Sequence, residues 1–228
     1  MKTCYAILLL LAMTPAMAQL VTADPKNNPL YRKGATVTEV DTSNAIGSPY
    51  ASEGFALGKV TNTKDGTTQT RALRFNLWKN EMEVRESLSS TATPNVILKR
   101  DWIEVELNGK TYQTVRNVPT EEGRYTLWME QLTTPATATA YYYPYVVFDQ
   151  GKKAENSMMQ DGKDRWEQEE TYYILQDGIA RELRMSRKKA HEAFAGKESE
   201  LKAKIKKDKL KFKKSDDVVT LVNYFNSL

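Results

Sequence analysis

The stretch "TRALRFNLWKNEMEV", residues 70–84, decides the fold. Leu73, Phe75 and Leu77 fall on one side of an extended chain, and Ala72, Arg74, Asn76 and Trp78 on the other. Alternation with period two belongs to pleated backbone, where successive side chains point to opposite faces. Lys79, Asn80 and Glu81 make a turn, after which Met82 and Val84 resume the rhythm. This is an amphipathic β-hairpin.

The same rhythm extends over most of the chain. In "WIEVELNGKTYQTV", Ile103, Val105 and Leu107 alternate with Glu104 and Glu106, and Asn108-Gly109 supplies a tight turn. "TYYILQDGIARELRM" turns at Asp177-Gly178. Further strands are expected at 55–62, 94–99, 124–131 and 142–149. Hairpins without intervening helices predict a mainly β domain over 54–184, an antiparallel meander forming an open sheet, a sandwich or a partial barrel. With helices at its C-terminal end, the class is α+β.

Residues 185–228 change character. Ser186 is placed to cap a helix through Arg187 to Ala195, ended by Gly196; a second helix is expected over 198–207. Ser215 reads as the N-cap of a third, with Asp216 and Asp217 in its first turn, where the helix dipole favours negative charge. Val218, Leu221, Val222 and Phe225 form its apolar stripe. Burying four such side chains is worth at most roughly 6–12 kcal/mol before entropy, so this basic helical tail is expected to pack on the β domain.

Between the last two helices lies "KIKKDKLKFKK", residues 204–214, with seven lysines and one acid. Leu210 and Phe212 alternate with Lys209, Lys211 and Lys213. That gives an extended segment, packed through its apolar side with its lysines in water. The sharper reading makes Lys206, Lys207, Lys209, Lys211 and Lys213 a surface for anionic lipid or polysaccharide. Nucleic acid is not expected, since no recognition-helix or stacking pattern accompanies the lysines. From Arg181 to Lys214 there are fourteen basic and five acidic residues, so the remainder of the exported chain is net acidic.

The N-terminus predicts the compartment. Lys2, an apolar run from Tyr5 to Met13, Pro15 and then Ala16-Met17-Ala18 make a secretory signal peptide, residues 1–18, cleaved before Gln19. The run is too short to span a bilayer, which takes about 20 apolar residues. The expected location is periplasmic or outer-membrane-associated. Residues 19–53 are poor in large apolar side chains and read as an extended lead-in. The single cysteine, Cys4, lies inside the segment to be removed, so neither disulfides nor thiolate chemistry is expected of the mature chain.

Catalytic signals are sparse. His191 is the single histidine and reads as a surface helix position. A histidine-type zinc site is excluded, and no Gly-x-Ser-x-Gly surrounds any serine. Glu81 and Glu83, Glu104 and Glu106, Asp161 and Asp164, and Glu167, Glu169 and Glu170 could each supply a glycosidase pair, but nothing in the pattern sets one apart. No metal, phosphate-binding loop or cofactor is implied. "YYYPYVVF" places Tyr141, Tyr143 and Tyr145 on one strand face and Tyr142 on the other, with Pro144 marking a sheet edge or a break. The three tyrosines are candidate ligand-stacking residues for a sugar or a peptide; the alternative is amphipathic packing.

Three groups of residues carry a resemblance. They are Gly47-Ser48-Pro49-Tyr50 with Phe55, Gly58 and Val60; Leu73-Arg74-Phe75-Asn76 with Glu81 to Val84; and Tyr224-Phe225-Asn226 after the lysine-rich stretch. Together they resemble a group of uncharacterised exported proteins common in Bacteroidota. The resemblance implies export and architecture and no activity. The expected function is therefore a non-enzymatic binding or scaffolding module of the cell envelope, its partner an envelope protein, a glycan or an anionic lipid surface. The other readings are a glycan hydrolase using paired carboxylates and an adhesin acting through the basic tail.

Overall fold

The computed structural model describes residues 31–33, 45–152 and 162–228. The expected signal peptide, most of the lead-in and Asp161 lie outside them. The described strands are β1 (Tyr31–Lys33), β2 (Ala56–Asn62), β3 (Thr68–Asn76), β4 (Glu81–Arg85), β5 (Asn95–Ile97), β6 (Ile103–Leu107), β7 (Lys110–Thr120), β8 (Gly123–Gln131), β9 (Ala138–Asp149), β10 (Arg165–Gln176) and β11 (Ile179–Leu183). They form one open antiparallel sheet in the order β1-β5-β4-β3-β2-β6-β7-β8-β9-β10-β11. A single meander would run in chain order. Here β2 sits between β3 and β6, so the chain meanders outward to β5, returns across β2, and meanders the other way to β11.

The expected hairpins form. Asn108 and Gly109 have φ of 52° and 75°, and Asp177 and Gly178 have 52° and 73°, the left-handed pair that a two-residue hairpin turn requires. Leu73, Phe75, Leu77, Met82 and Val84 all turn into one core with Val60, Ile103, Val105, Leu107 and Trp128. A continuous row of cross-strand neighbours follows the same face: Val105, Tyr112, Glu130, Tyr142, Tyr172 and Leu183. Beyond it a second core begins. Ala138, Ala140, Ile174 and Leu183 pack there against the helical tail. The opposite face holds a third core, Val115, Val118, Leu127, Met129, Tyr141, Tyr173 and Ala180, where β11 comes back toward β7.

The described part of the lead-in is tied to the sheet. Ile46 N–H donates to Asp164 O at 2.8 Å, Trp166 N–H to Ile46 O at 2.8 Å, and Leu77 N–H to Pro49 O at 2.8 Å. Gly47 has φ of +89°, and a Cβ there would lie 2.9 Å from Trp166 O, so this crossing needs glycine. Trp166 in turn stands between Trp78 and Phe148, with ring centroids 4.9 and 4.7 Å away.

The tail contains α1 (Glu198–Lys207) and α2 (Ser215–Asn226). The stripe Val218, Leu221, Val222 and Phe225 is buried as expected, with Leu201 and Ile205 of α1 beside it. Two expectations need correction. Residues 187–195 form only a short 3-10 turn, Ala190–Ala193. Arg187, Lys188 and Lys189 would have put three cations at a helix N-terminus, the unfavourable end of the dipole. The Gln176 side chain instead holds the Ala195 backbone, accepting its N–H at 2.8 Å and donating to its C=O at 3.2 Å. Ser215 is not the N-cap: Lys214 takes that position, with no side-chain cap. Asp217 reaches back instead and accepts the N–H groups of Lys211 and Phe212 at 3.0 and 2.7 Å.

Candidate functional site

The sheet divides between β8 and β9. Their ladder has two rungs, Gln131↔Tyr141 and Glu130↔Tyr142, and then the strands part. On the β8 arm, Asn80 from the β3–β4 turn takes over. Its amide donates to Trp128 O at 2.9 Å, and its oxygen accepts Trp128 N–H at 2.8 Å. Trp128 therefore points its backbone groups away from β7. Alternation gives Thr126 and Arg124 the same direction. No strand partners them on that side among the described residues. On the β9 arm the same alternation aims the missing N–H of Pro144 into the gap, where no ladder bond is lost. The sequence expectation that Pro144 marks an edge thus has a physical basis.

Each face of this fork carries tyrosine and carboxylate. On one, Lys110 Nζ lies 2.7 Å from Glu130 Oε2 and 5.6 Å from the ring centre of Tyr142. The Tyr142 hydroxyl donates to Glu170 Oε2 at 3.0 Å, and its ring meets Tyr172 at 5.2 Å. Burial, with Glu170 second, pushes the Tyr142 phenol far above its usual range; burial and Glu130 do the same for Tyr112. These phenols keep their protons at any ordinary pH.

The other face holds the three tyrosines singled out in the sequence. Tyr141 is buried and donates to Gln113 Oε1 at 3.3 Å. Tyr143 and Tyr145 are half-buried and stacked, with centroids 5.2 Å apart and planes 19° from parallel. Burial, then Tyr145 and Glu122, raises the Tyr143 phenol to about 12. Tyr125, on the open arm of β8, is exposed. The structure thus separates Tyr141, a core residue, from Tyr143 and Tyr145, which reach the surface.

Sequence reasoning missed Lys110, Glu130, Tyr142, Glu170 and Tyr172 as a group. Period two places Tyr142 opposite Tyr141. It says nothing of which strand lies beside it, and that pairing is what brings Glu130 to Tyr142.

The remaining candidates fall elsewhere. Lys206, Lys207, Lys209, Lys211 and Lys213 are exposed, while Leu210 and Phe212 between them are buried. His191 is 7 % exposed rather than a surface residue, because the 3-10 turn packs into the second core. Its Nε2 lies 3.4 Å from Glu198 Oε1 at a cleft of about 520 Å³. Lys202, and after it His191, holds the Glu198 carboxyl below its usual value. Glu83, Glu104 and Glu106 each have a cross-strand partner, in Arg74, Gln113 and Lys59. Among the described residues no three His, Cys, Asp or Glu converge as metal ligands, and no helix is long and apolar enough to cross a membrane. No family model, curated protein or solved structure matches this chain.

Proposed function

We propose that the chain is exported, cleaved before Gln19, and works in the cell envelope as a non-enzymatic module that binds an extended polypeptide segment at the β8–β9 fork. One observation carries the reading: the backbone groups of Arg124 and Thr126 face outward with no strand partner among the described residues. Such an edge is a template for another extended chain, which would gain main-chain hydrogen bonds there and side-chain contacts on both faces. Tyr125, Tyr143 and Tyr145 offer rings on one face. Glu122 and Glu170 are exposed there, while Glu130 is already paired with Lys110, so the segment suited to the two exposed carboxylates carries Lys or Arg.

The test is Thr126→Pro. The Thr126 N–H points away from β7, so proline removes a ligand-facing donor and spares the β7–β8 ladder. Decapeptides selected from a displayed library against the chain beginning at Gln19 should bind the wild type and lose at least tenfold in affinity for the variant. The melting temperature should stay within a few degrees. Equal binding to both proteins defeats strand addition. Export is checked separately, by sequencing the N-terminus of protein recovered from the periplasm, which should begin Gln19-Leu20-Val21.

A further inference from the structure

The lysine stretch is more than a solvated run, because the fold pins it and leaves most of its charge without compensation. Leu210 and Phe212 are buried in the second core. Leu210 N–H donates to Ile205 O at 3.1 Å, and the Asp217 carboxylate holds the N–H groups of Lys211 and Phe212. Lys209 and Phe212 both sit at positive φ, 55° and 54°. That is unusual for a bulky aromatic residue and persists only where the surroundings enforce it. The segment is therefore not the simple extended strand its alternation suggests. Its backbone is twisted so that two apolar side chains turn in and the lysines turn out. Of the carboxylates nearest in sequence, Asp208 is engaged with Lys204 at 2.8 Å and Asp217 with the loop, and Asp216 is exposed on the first turn of α2. Lys206, Lys207, Lys209, Lys211, Lys213 and Lys214 all remain exposed.

We infer that this ridge docks the protein electrostatically on an anionic lipid bilayer. The choice of lipid rests on the kind of cation. From Lys188 to Leu228 every basic residue except His191 is lysine, and the last arginine is Arg187. Lysine is a compact point charge without the planar fork that recognises a carboxylate or phosphate bidentately. Several point charges on one rigid edge suit a diffuse, laterally mobile field of headgroups, to which each lysine adds independently. A polyuronate with fixed carboxylate spacing gives lysine no such latitude. The ridge lies on the tail and makes no use of the β8–β9 fork, so this inference stands apart from peptide binding.

Flotation with two kinds of vesicle tests it: phosphatidylcholine alone, and phosphatidylcholine mixed with phosphatidylglycerol. The chain beginning at Gln19 retains every described residue and should float only with the second. Each lysine lost should reduce partitioning roughly fivefold, and a glutamate in its place deepens the loss. Lys209→Glu, Lys211→Glu and Lys213→Glu together should therefore lower it by more than about a hundredfold, and raising the salt should abolish it. Lys206→Glu with Lys207→Glu, on α1 and outside the strained loop, should cost more than about twenty-fivefold and guards against misfolding of the triple variant. Equal flotation with both vesicles overturns the inference, as does binding that survives both sets of reversals. Retention on immobilised polygalacturonate without vesicle binding assigns the ridge to a polysaccharide and overturns it as well.

Discussion

Asn80 pairs with Trp128 as a strand would. Its amide gives one hydrogen bond to the Trp128 carbonyl and takes one from the Trp128 N–H, at 2.9 and 2.8 Å, across 48 positions of sequence. One side chain thus stands in for a rung of ladder at the point where β8 has left β9. Among the described residues the chain uses this device three times. Asn226 at the end of α2 exchanges two bonds of 2.8 Å with Ala138, at the start of β9, and Gln176 does the same with Ala195. In each case a planar amide satisfies backbone groups that the sheet has stopped pairing. The fork is therefore braced at its base by Asn80, and the tail is latched to the sheet by Asn226.

Removing the Asn80 brace should be costly. Asn80 is buried and sits at φ of 48°, a conformation asparagine tolerates better than most residues. Asn80→Ala leaves the Trp128 N–H and C=O unpaired, at about 1–3 kcal/mol for each group, and adds left-handed strain of about 1 kcal/mol. A loss of roughly 3–7 kcal/mol in urea denaturation is expected. Asn80→Gly forfeits the same hydrogen bonds without the φ penalty and should be the less damaged of the two. Equal stability of Asn80→Ala and wild type would mean that the brace does not hold β8.

Arg74 joins two of the sequence groups that carry the resemblance. Its guanidinium lies 3.7 Å from the ring centre of Tyr50 and 4.6 Å from that of Phe55, and it binds Glu83 through Nη2 at 2.7 Å and Nε at 3.0 Å. The Glu83 side chain is only 12 % exposed. Arg74→Ala would strand that carboxylate, at a cost of about 2–4 kcal/mol, and would release Tyr50 from its cation. Limited proteolysis between Gly47 and Phe55 should then accelerate. Arg74→Lys keeps the charge but loses the planar fork and the stacking, so it should recover only part of the difference. Unchanged proteolysis in Arg74→Ala would show that the lead-in is held by its backbone bonds alone.

Local signals were legible where one residue type answers a local demand. Asn108-Gly109 and Asp177-Gly178 supply positive φ, and both hairpins form where they stand. Leu73, Phe75 and Leu77 announce a buried face, and Val218 to Phe225 announce a docked helix. What stayed hidden was set by distance. That β2 lies between β3 and β6, or that Glu130 faces Tyr142, depends on pairings between separate hairpins, which no short window contains. The region after Ser186 misled for a related reason. Its apolar spacing allows a helix, but the decision rests with Gln176, which binds Ala195 from another element. Alternation singles out Tyr143 and Tyr145, and both are half-buried at the surface. The open edge of β8 beside them has no signature of its own.

The buried tyrosines make stability fall in strong base. Tyr141 and Tyr173 are 4 % and 3 % exposed, and burial raises each phenol from 10 to about 12, with Glu104 adding to the effect at Tyr141 and Glu182 at Tyr173. In the unfolded chain both ionise near pH 10, while in the folded chain they keep their protons until about pH 12. Between those values the native state binds more protons than the unfolded one, so the free energy of unfolding decreases as pH rises. The contribution is complete below pH 10 and is lost on passing through 12. Together the two sites should remove roughly 2–5 kcal/mol over that window. Denaturant midpoints at pH 9, 10 and 11 should decline steeply after 10, and ultraviolet titration should show a late phenolate fraction that appears together with unfolding. Tyr173→Phe loses a 3.0 Å hydrogen bond to Pro119 O, which costs about 1 kcal/mol at neutral pH, but it should flatten the alkaline decline. If the midpoint of that variant falls between pH 10 and 11 as steeply as in the wild type, Tyr173 is not one of the protons that the fold withholds.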